Sequence, residues 1–336
     1  MTRKIKFVEA LREGMRQEME RDSRVFVMGE GVGPHGSCFK QTDGFCDLFG
    51  EDRCRDTPIS ELAIAGAAVG AALAGMRPIA DLMWIDFTTL ATDQICNQAA
   101  KLAYMSDGQV SVPVVFRATT GRLRSNGAQH SGSWYSWYIN TPGLKVVVPS
   151  TSYDAKGLIT SAIRDNGPVV YLEHKMLLNV KGEVPEEPYA IPLGVADVKR
   201  EGTDLTLVAT GYEVVDSLKA AEAVEAEGIS VEVIDPRTLM PYDSDTILHS
   251  VRKTGRLLVV DEGFRFCGYG SEIIAMVVEQ AMDDLSAPPR QLTAMHTTVP
   301  FSPSMEEYVF PNPERIADAI RATVGSKRAV KELSRG

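Results

Sequence analysis

The chain has 336 residues, a net charge of −10, 44% hydrophobic residues and 24% charged residues. That length allows about two domains with sizeable cores, the composition excludes global disorder, and the negative field disfavours nucleic acid and an anionic membrane surface as partners. Cys38, Cys46, Cys54, Cys96 and Cys267 form no C-x-x-C pair, so reduced thiols in a cytoplasmic protein are expected rather than a disulfide framework or a zinc knuckle.

In chain order, residues 1–11 mix charges with apolar side chains and carry no signal-peptide core. An apolar run at 25–28 ends at Gly29 and reads as a strand. Residues 62–76 form the longest uncharged apolar run. It is shorter than the ~18 residues that span a bilayer, and its Ala and Gly suit close packing against protein. Strand signals follow at 78–83, 112–116, 144–148 and 169–172, with helical spacing at 87–105 and 153–164. This alternation predicts a parallel sheet with helices on both faces. Residues 179–192 hold Pro185, Pro188 and Pro192 beside Glu186 and Glu187, and read as a linker or edge segment. A second alternation has strands at 204–209, 230–234 and 256–260, helices at 213–227, 271–282 and 314–323, and a polar tail at 326–336. The expected fold class is therefore α/β, with two doubly wound domains over residues 1–190 and 191–336.

The strongest local pattern is Asp56-Thr57-Pro58-Ile59-Ser60-Glu61 leading into the apolar helix, with Gly66 and Gly70 on one face. Taken alone it is a Ser or Thr cap, an acidic first turn and a buried helix. The glycines four apart also permit close approach of another backbone, which predicts a subunit interface and a homodimer. His130 sits in Gly127-Ala128-Gln129-His130-Ser131-Gly132, a polar and flexible setting unlike a core position. His35, His174, His249 and His296 share no metal-ligand spacing.

The Glu61-x4-Gly66-x3-Gly70 pattern is followed in order by Arg77-Pro78-Ile79, Asp86-Phe87, Asp93-Gln94-Ile95, Asn97-Gln98-Ala99-Ala100-Lys101, Gln129-His130-Ser131 and Pro142-Gly143-Leu144-Lys145. Gly202-Thr203-Asp204, Asp235-Pro236-Arg237-Thr238 and Gly268-x-Gly270-x-Glu272 continue it in the second half. In these motifs the chain resembles, over residues 5–325, the β subunits of thiamine-diphosphate-dependent 2-oxoacid and acetoin dehydrogenases. More distantly it resembles the pyrimidine-binding domain of transketolase-like enzymes, so the first expected domain would bind the cofactor's pyrimidine and the second would assist assembly and docking.

The resemblance implies that Glu61 activates the cofactor through its pyrimidine ring nitrogen, that Phe87 stacks on that ring with Met83 nearby, and that His130 stands at the active-site mouth as a proton donor or a group that steadies acyl transfer. It also implies a potassium ion held by main-chain carbonyls at Val114, Ala162, Ile163, Asp165 and Gly167. An ordinary Gly/Pro helix stop reads the same residues equally well. The Gly-Asp-Gly motif that holds the diphosphate and magnesium in thiamine enzymes is not in this sequence, so a separate α subunit is expected to supply both, in an α2β2 assembly.

Two segments depart from the resemblance. Residues 118–126 carry Arg122 and Arg124 where small residues are expected, and residues 134–138 are rich in Trp and Tyr from Trp134 onward. The arginines could recognise a carboxylate or phosphate, and Trp134 could line the substrate site or a subunit interface. The expected function is carbon–carbon cleavage next to a carbonyl, with the acyl group passed to a lipoyl acyltransferase core. A split transketolase acting on sugar phosphates and a non-catalytic scaffold subunit are the alternatives.

Overall fold

The computed structural model describes residues 2–326, so the expected polar tail lies outside the described residues except for Ser326. The described chain forms two compact units. The first holds residues up to 195 together with 237–242 and 298–306, and the second holds 196–236, 243–297 and the residues from 307.

The first unit opens with β1 (Thr2–Lys6) and α1 (Phe7–Arg21). Charged residues interrupt α1, yet Phe7, Leu11, Met15 and Met19 recur every four residues and are buried against the chain's interior. Then come β2 (Val25–Glu30), α2 (Phe45–Phe49), β3 (Cys54–Thr57), α3 (Glu61–Leu73), β4 (Arg77–Trp84), α4 (Leu102–Met105), β5 (Val115–Thr120), α5 (Ser136–Ile139), β6 (Lys145–Val147), α6 (Ser152–Arg164), β7 (Val169–His174) and β8 (Lys181–Pro185). In the second unit β9 (Asp197–Arg200), β10 (Leu205–Ala209), α7 (Glu213–Glu225) and β11 (Val231–Asp235) precede β12 (Thr238–Met240), which belongs to the first. The chain continues through α8 (Ser244–Thr254), β13 (Leu257–Phe264), α9 (Tyr269–Ala281), β14 (Arg290–Ala294), α10 (Pro303–Val309) and α11 (Pro313–Val324).

The large sheet runs β12-β6-β7-β5-β4-β2-β3 and is parallel except for β12, which pairs antiparallel with β6. Residues of β2, β5 and β7 are buried throughout, as strands covered on both faces must be. The second sheet runs β14-β13-β10-β11-β9, again parallel except at its edge strand β9. Its core joins Leu205, Leu207, Val231, Val233, Leu258 and Val260 to the apolar faces of α7 and α11. The Pro-rich segment after residue 179 supplies β8, which pairs only with β1 in a two-stranded ribbon.

The expected helix at 87–105 is not one helix. It divides into a 3₁₀ turn at Phe87–Ala91, a π-helical stretch at Asp93–Ala99 and α4. The Thr88 hydroxyl donates to the Ile85 carbonyl (2.6 Å), and the Asp93 carboxylate gathers the side-chain amides of Gln94, Asn97 and Gln98. Such side-chain bonds compete with regular helical pairing. No helix among the described residues is long and apolar enough to cross a membrane.

Candidate active site

In the large sheet the connection after β2 runs to β3 on one side, and the connection after β4 runs to β5 on the other. The crevice beyond the C-terminal ends of β2 and β4 is thus the topological switch point, where open α/β sheets bind ligands. Gly29 lets the two strands meet there. A Cβ at this position, where φ is +153°, would stand 2.2 Å from the Asp81 carbonyl oxygen. The next residue, Glu30, is 5% exposed, and its Oε1 has no hydrogen-bond partner among the described residues. Burial, then the negative charges of Glu61 and Asp81, push its carboxyl up to about 7.

Glu61 is the first residue of α3 and is equally buried. Ser60 occupies the N-cap position, but its side chain makes no capping bond, contrary to the simple cap expected from sequence. The free N–H groups of that first turn favour a carboxylate at this end of the helix. Farther along α3, Gly66 faces the Gln94 side chain within the chain, whereas a Cβ on Gly70 would meet nothing within 4 Å among the described residues. Leu62 is exposed on the same helix.

Met83 has a left-handed backbone, with φ 58°. Its N–H donates to the Asp81 carboxylate (2.9 Å), and the Thr119 hydroxyl donates to its carbonyl (2.7 Å). Asp81 is braced in turn by the fully buried Arg117, which also donates two bonds to Glu173 (2.8 and 2.9 Å). Burial alone would lower the guanidinium, but the carboxylates of Asp81 and Glu173 outweigh it and hold it above its ordinary range. Ser37 and Gln41 add bonds to Asp81 and Glu173, so the brace is hydrogen-bonded on several sides.

The structure gathers Trp84, Phe87 and His130. The imidazole stands perpendicular to both rings, with centroids 5.1 Å from Trp84 and 5.3 Å from Phe87, at interplanar angles of 86° and 85°. Arg122 and Arg124 do not act as a pair, since Arg122 is buried and Arg124 exposed. Their loop is fastened where Ser125 N–H donates to the Glu306 carboxylate (2.9 Å). Trp134 is half-buried and lies near Trp137, with ring centroids 6.0 Å apart.

The five residues of the implied potassium site lie around the end of α6 and the neighbouring strands. The Val114 carbonyl accepts from Val169 N–H (2.9 Å), and the Ile163 and Asp165 carbonyls accept from the Arg77 guanidinium. The Arg77 guanidinium thus already occupies two of the five implied carbonyls.

Glu30, Asp81 and Arg117 had no place among the expected site residues. The available signal was one acidic residue directly after a buried apolar strand ending in glycine, and charges inside strands that are otherwise apolar.

Residues 3–181 match the transketolase pyrimidine binding domain and residues 194–316 the transketolase C-terminal domain. The chain is 45% identical to 2-oxoisovalerate dehydrogenase subunit beta of Bacillus subtilis, over 94% of this chain and 97% of that one. It is 44% identical to the beta subunit of acetoin:2,6-dichlorophenolindophenol oxidoreductase of the same organism, over 97% and 98%. A pyruvate dehydrogenase E1 component subunit beta of Rhizobium meliloti is also 44% identical, over 94% of this chain and 68% of that one. Among solved structures, an inactive beta4 tetramer of a split-gene transketolase superposes with a TM-score of 0.79 at 23% identity, covering 96% of this chain and all of that one, a likeness of fold alone.

Proposed function

Because the chain belongs to the transketolase-like β subunits of the 2-oxoacid and acetoin dehydrogenases, we propose that its first unit supplies the pyrimidine half of a thiamine diphosphate site completed by an α subunit. The observation that carries this reading is Glu30, a buried carboxyl with an unpartnered oxygen at the switch-point crevice, electrostatically coupled to Glu61. An aminopyrimidine offers ring nitrogens and an amino group, which suit one carboxyl that keeps its proton near neutrality and another at a helix start. When bound, the cofactor supplies the carbon nucleophile and the electron sink for cleavage next to a carbonyl.

In this reading Glu61 holds and exchanges a proton at the pyrimidine ring nitrogen. Glu30 supports that exchange from the strand side. Phe87 would offer its ring to the pyrimidine, and the braced backbone at Met83 would fix that residue's side chain as a further contact. His130 gives a proton to substrate oxygen or steadies the acyl group on its way to a lipoyl arm. Arg122, Arg124 and Trp134 belong to the substrate side, where their bulk and charge would select among 2-oxoacids and acetoin. The diphosphate and magnesium are assigned to the α subunit, because the sequence has no Gly-Asp-Gly motif. Gly70 and Leu62 on the open face of α3 are assigned to the α2β2 interface. A potassium ion at the end of α6 is part of the same proposal, as are a lipoyl acyltransferase core and a cytoplasmic location.

The test is reconstitution with the α subunit, followed by acylation of a lipoyl domain from pyruvate, branched-chain 2-oxoacids and acetoin. The chain alone should show no micromolar, magnesium-dependent binding of thiamine diphosphate by calorimetry. Such binding would overturn the shared site. Ketol transfer between sugar phosphates in place of lipoyl acylation would make the protein a split transketolase, and loss of both activities in an intact complex would make it a scaffold.

A further inference from the structure

His130 is held by more than the two rings beside it. The Lys175 ammonium donates to the His130 carbonyl (2.7 Å) and lies 4.9 Å over the Trp84 ring. Lys175 is 2% exposed, so this tether comes from inside the unit. Two residues beyond His130, the Gly132 N–H donates to both oxygens of Asp86 (3.1 and 3.3 Å). The Trp134 indole N–H donates to the same carboxylate (3.3 Å). The Gly132 carbonyl is fastened as well, by Gly121 N–H (2.9 Å) and the Thr120 hydroxyl (3.1 Å). A Cβ at position 132 would stand 2.0 Å from the Trp134 indole nitrogen and 2.6 Å from Asp86 Oδ1, so this arrangement requires glycine.

These contacts alternate along the chain. Trp84 and Phe87 face the imidazole, and Asp86, between them in sequence, grips the backbone just after it. Burial raises the Asp86 carboxyl above its ordinary range, while its bonds to Trp134 and Gly132 and the nearby Lys175 charge oppose that rise. An acceptor so placed exchanges water for fixed donors, and removing it would take from the Gly132 N–H and the Trp134 indole N–H the carboxylate they share.

We propose that Asp86 is a positioning residue for His130: through Gly132 and the Trp134 indole, its carboxylate sets where the imidazole stands between Trp84 and Phe87. The inference rests on the reading of His130 as a group that acts on substrate or acyl fragment. In this arrangement Trp134 is the handle by which the loop is fixed, in addition to any part it takes in selecting substrate. Lys175 is the second tether, acting on the carbonyl of His130 itself.

The test uses the full chain reconstituted with its α subunit. With Asp86→Leu, kcat for lipoyl acylation should fall about 10²-fold while KM stays within about threefold, the scale of a misplaced catalytic group. Asp86→Asn keeps an acceptor oxygen and should restore kcat to within about fivefold of wild type. In a His130→Ala background, Asp86→Leu should cost nothing further, because residues acting as one unit are not additive. This chain has three tryptophans, Trp84, Trp134 and Trp137, so fluorine NMR of a complex in which this chain alone carries 5-fluorotryptophan gives a readout independent of turnover. Asp86→Leu should move the Trp84 and Trp134 signals and leave Trp137 closer to its wild-type position. Should Asp86→Leu not fold, Trp134→Phe, which removes only the indole donor, should reproduce the kcat loss in part. Full additivity with His130→Ala, or unchanged kcat together with shifted Trp134 fluorine signals, would overturn the proposal. Wild-type activity of His130→Ala would instead overturn the reading of His130 and leave the fluorine shifts as they are.

Discussion

Two buried carboxyls, one in each unit, are both pushed up to about 7, yet they differ in kind. Glu30 ends β2 at the switch point of the large sheet, and Asp261 lies near the end of β13 at the corresponding point of the second sheet, beside β10. Burial is the leading cause for each. For Glu30 it is reinforced by Glu61 and Asp81, and one carboxylate oxygen meets no donor. For Asp261 it is reinforced by Glu262, and Oδ2 likewise meets no hydrogen-bond donor among the described residues, but the Thr210 hydroxyl (3.1 Å) and Gly263 N–H (3.0 Å) both donate to Oδ1. A shifted acid alone does not mark a site. What separates the two is the pair of hydrogen bonds that the chain gives to one oxygen of Asp261.

The largest effect should come from the first crevice. Glu61→Gln in the reconstituted complex keeps size and polarity, and should lower kcat by about 10²–10⁴-fold with assembly intact. Stopped-flow turnover against sedimentation measures the two separately. Glu30→Gln should lower kcat by about 10–10²-fold, whereas Asp261→Asn should leave kcat unchanged. Equal losses for the last two would erase the distinction drawn above.

Arg117→Met sharpens the comparison from the side of stability. It leaves Asp81 and Glu173 buried without their cation, and the cost should be about 3–5 kcal/mol in urea unfolding. Asp261→Asn acts on stability through pH. A folded-state value near 7, above the ordinary aspartate value of 3.8, means that the folded state holds a proton that the unfolded chain releases. This contribution is fully present below about pH 4 and is lost as pH rises through 7. Asp261→Asn should therefore flatten the decline in stability between pH 5 and pH 8, by an amount on the order of 2 kcal/mol.

The smallest effect concerns two helix glycines. A Cβ on Gly270 in α9 would stand 2.8 Å from the Gln291 side chain and 3.2 Å from Val259, while one on Gly70 in α3 meets nothing within 4 Å among the described residues. Gly70→Leu should weaken subunit association about tenfold by light scattering while leaving the chain's own unfolding nearly unchanged. Gly270→Ala should do the reverse, lowering the unfolding midpoint without affecting association.

Most of the central strands were legible in the sequence, though not their order, because strands covered on both faces read as β-branched runs punctuated by glycine and proline. The short edge strands β9, β12 and β14 left no such imprint, and in α1 charges on the outer face hid a buried stripe. The 87–105 region looked helical because its apolar spacing is helical. The threonine hydroxyls and the Asp93 carboxylate that reshape it act through hydrogen bonds that spacing does not reveal. In the site, Glu61, Met83, Phe87 and His130 were nameable only through resemblance. Glu30 and Asp86 acquire meaning from neighbours distant in sequence, Asp81 across the sheet for one and Gly132 and Trp134 for the other.

The strand Thr238–Met240 gives the molecule an interlaced chain path. It is synthesised after β9, β10 and β11 of the second unit, yet it closes the edge of the first unit's sheet beside β6. Arg237, just before it, donates to the Val195 carbonyl and to the Asp154 carboxylate of α6. A ribosome that has released only residues 1–195 has therefore made a sheet with one raw border, whose open N–H and C=O groups invite pairing with another nascent chain. Cutting the gene at the apparent linker would make that transient border permanent, so fragments divided there should aggregate unless a peptide spanning 237–242 is supplied in trans.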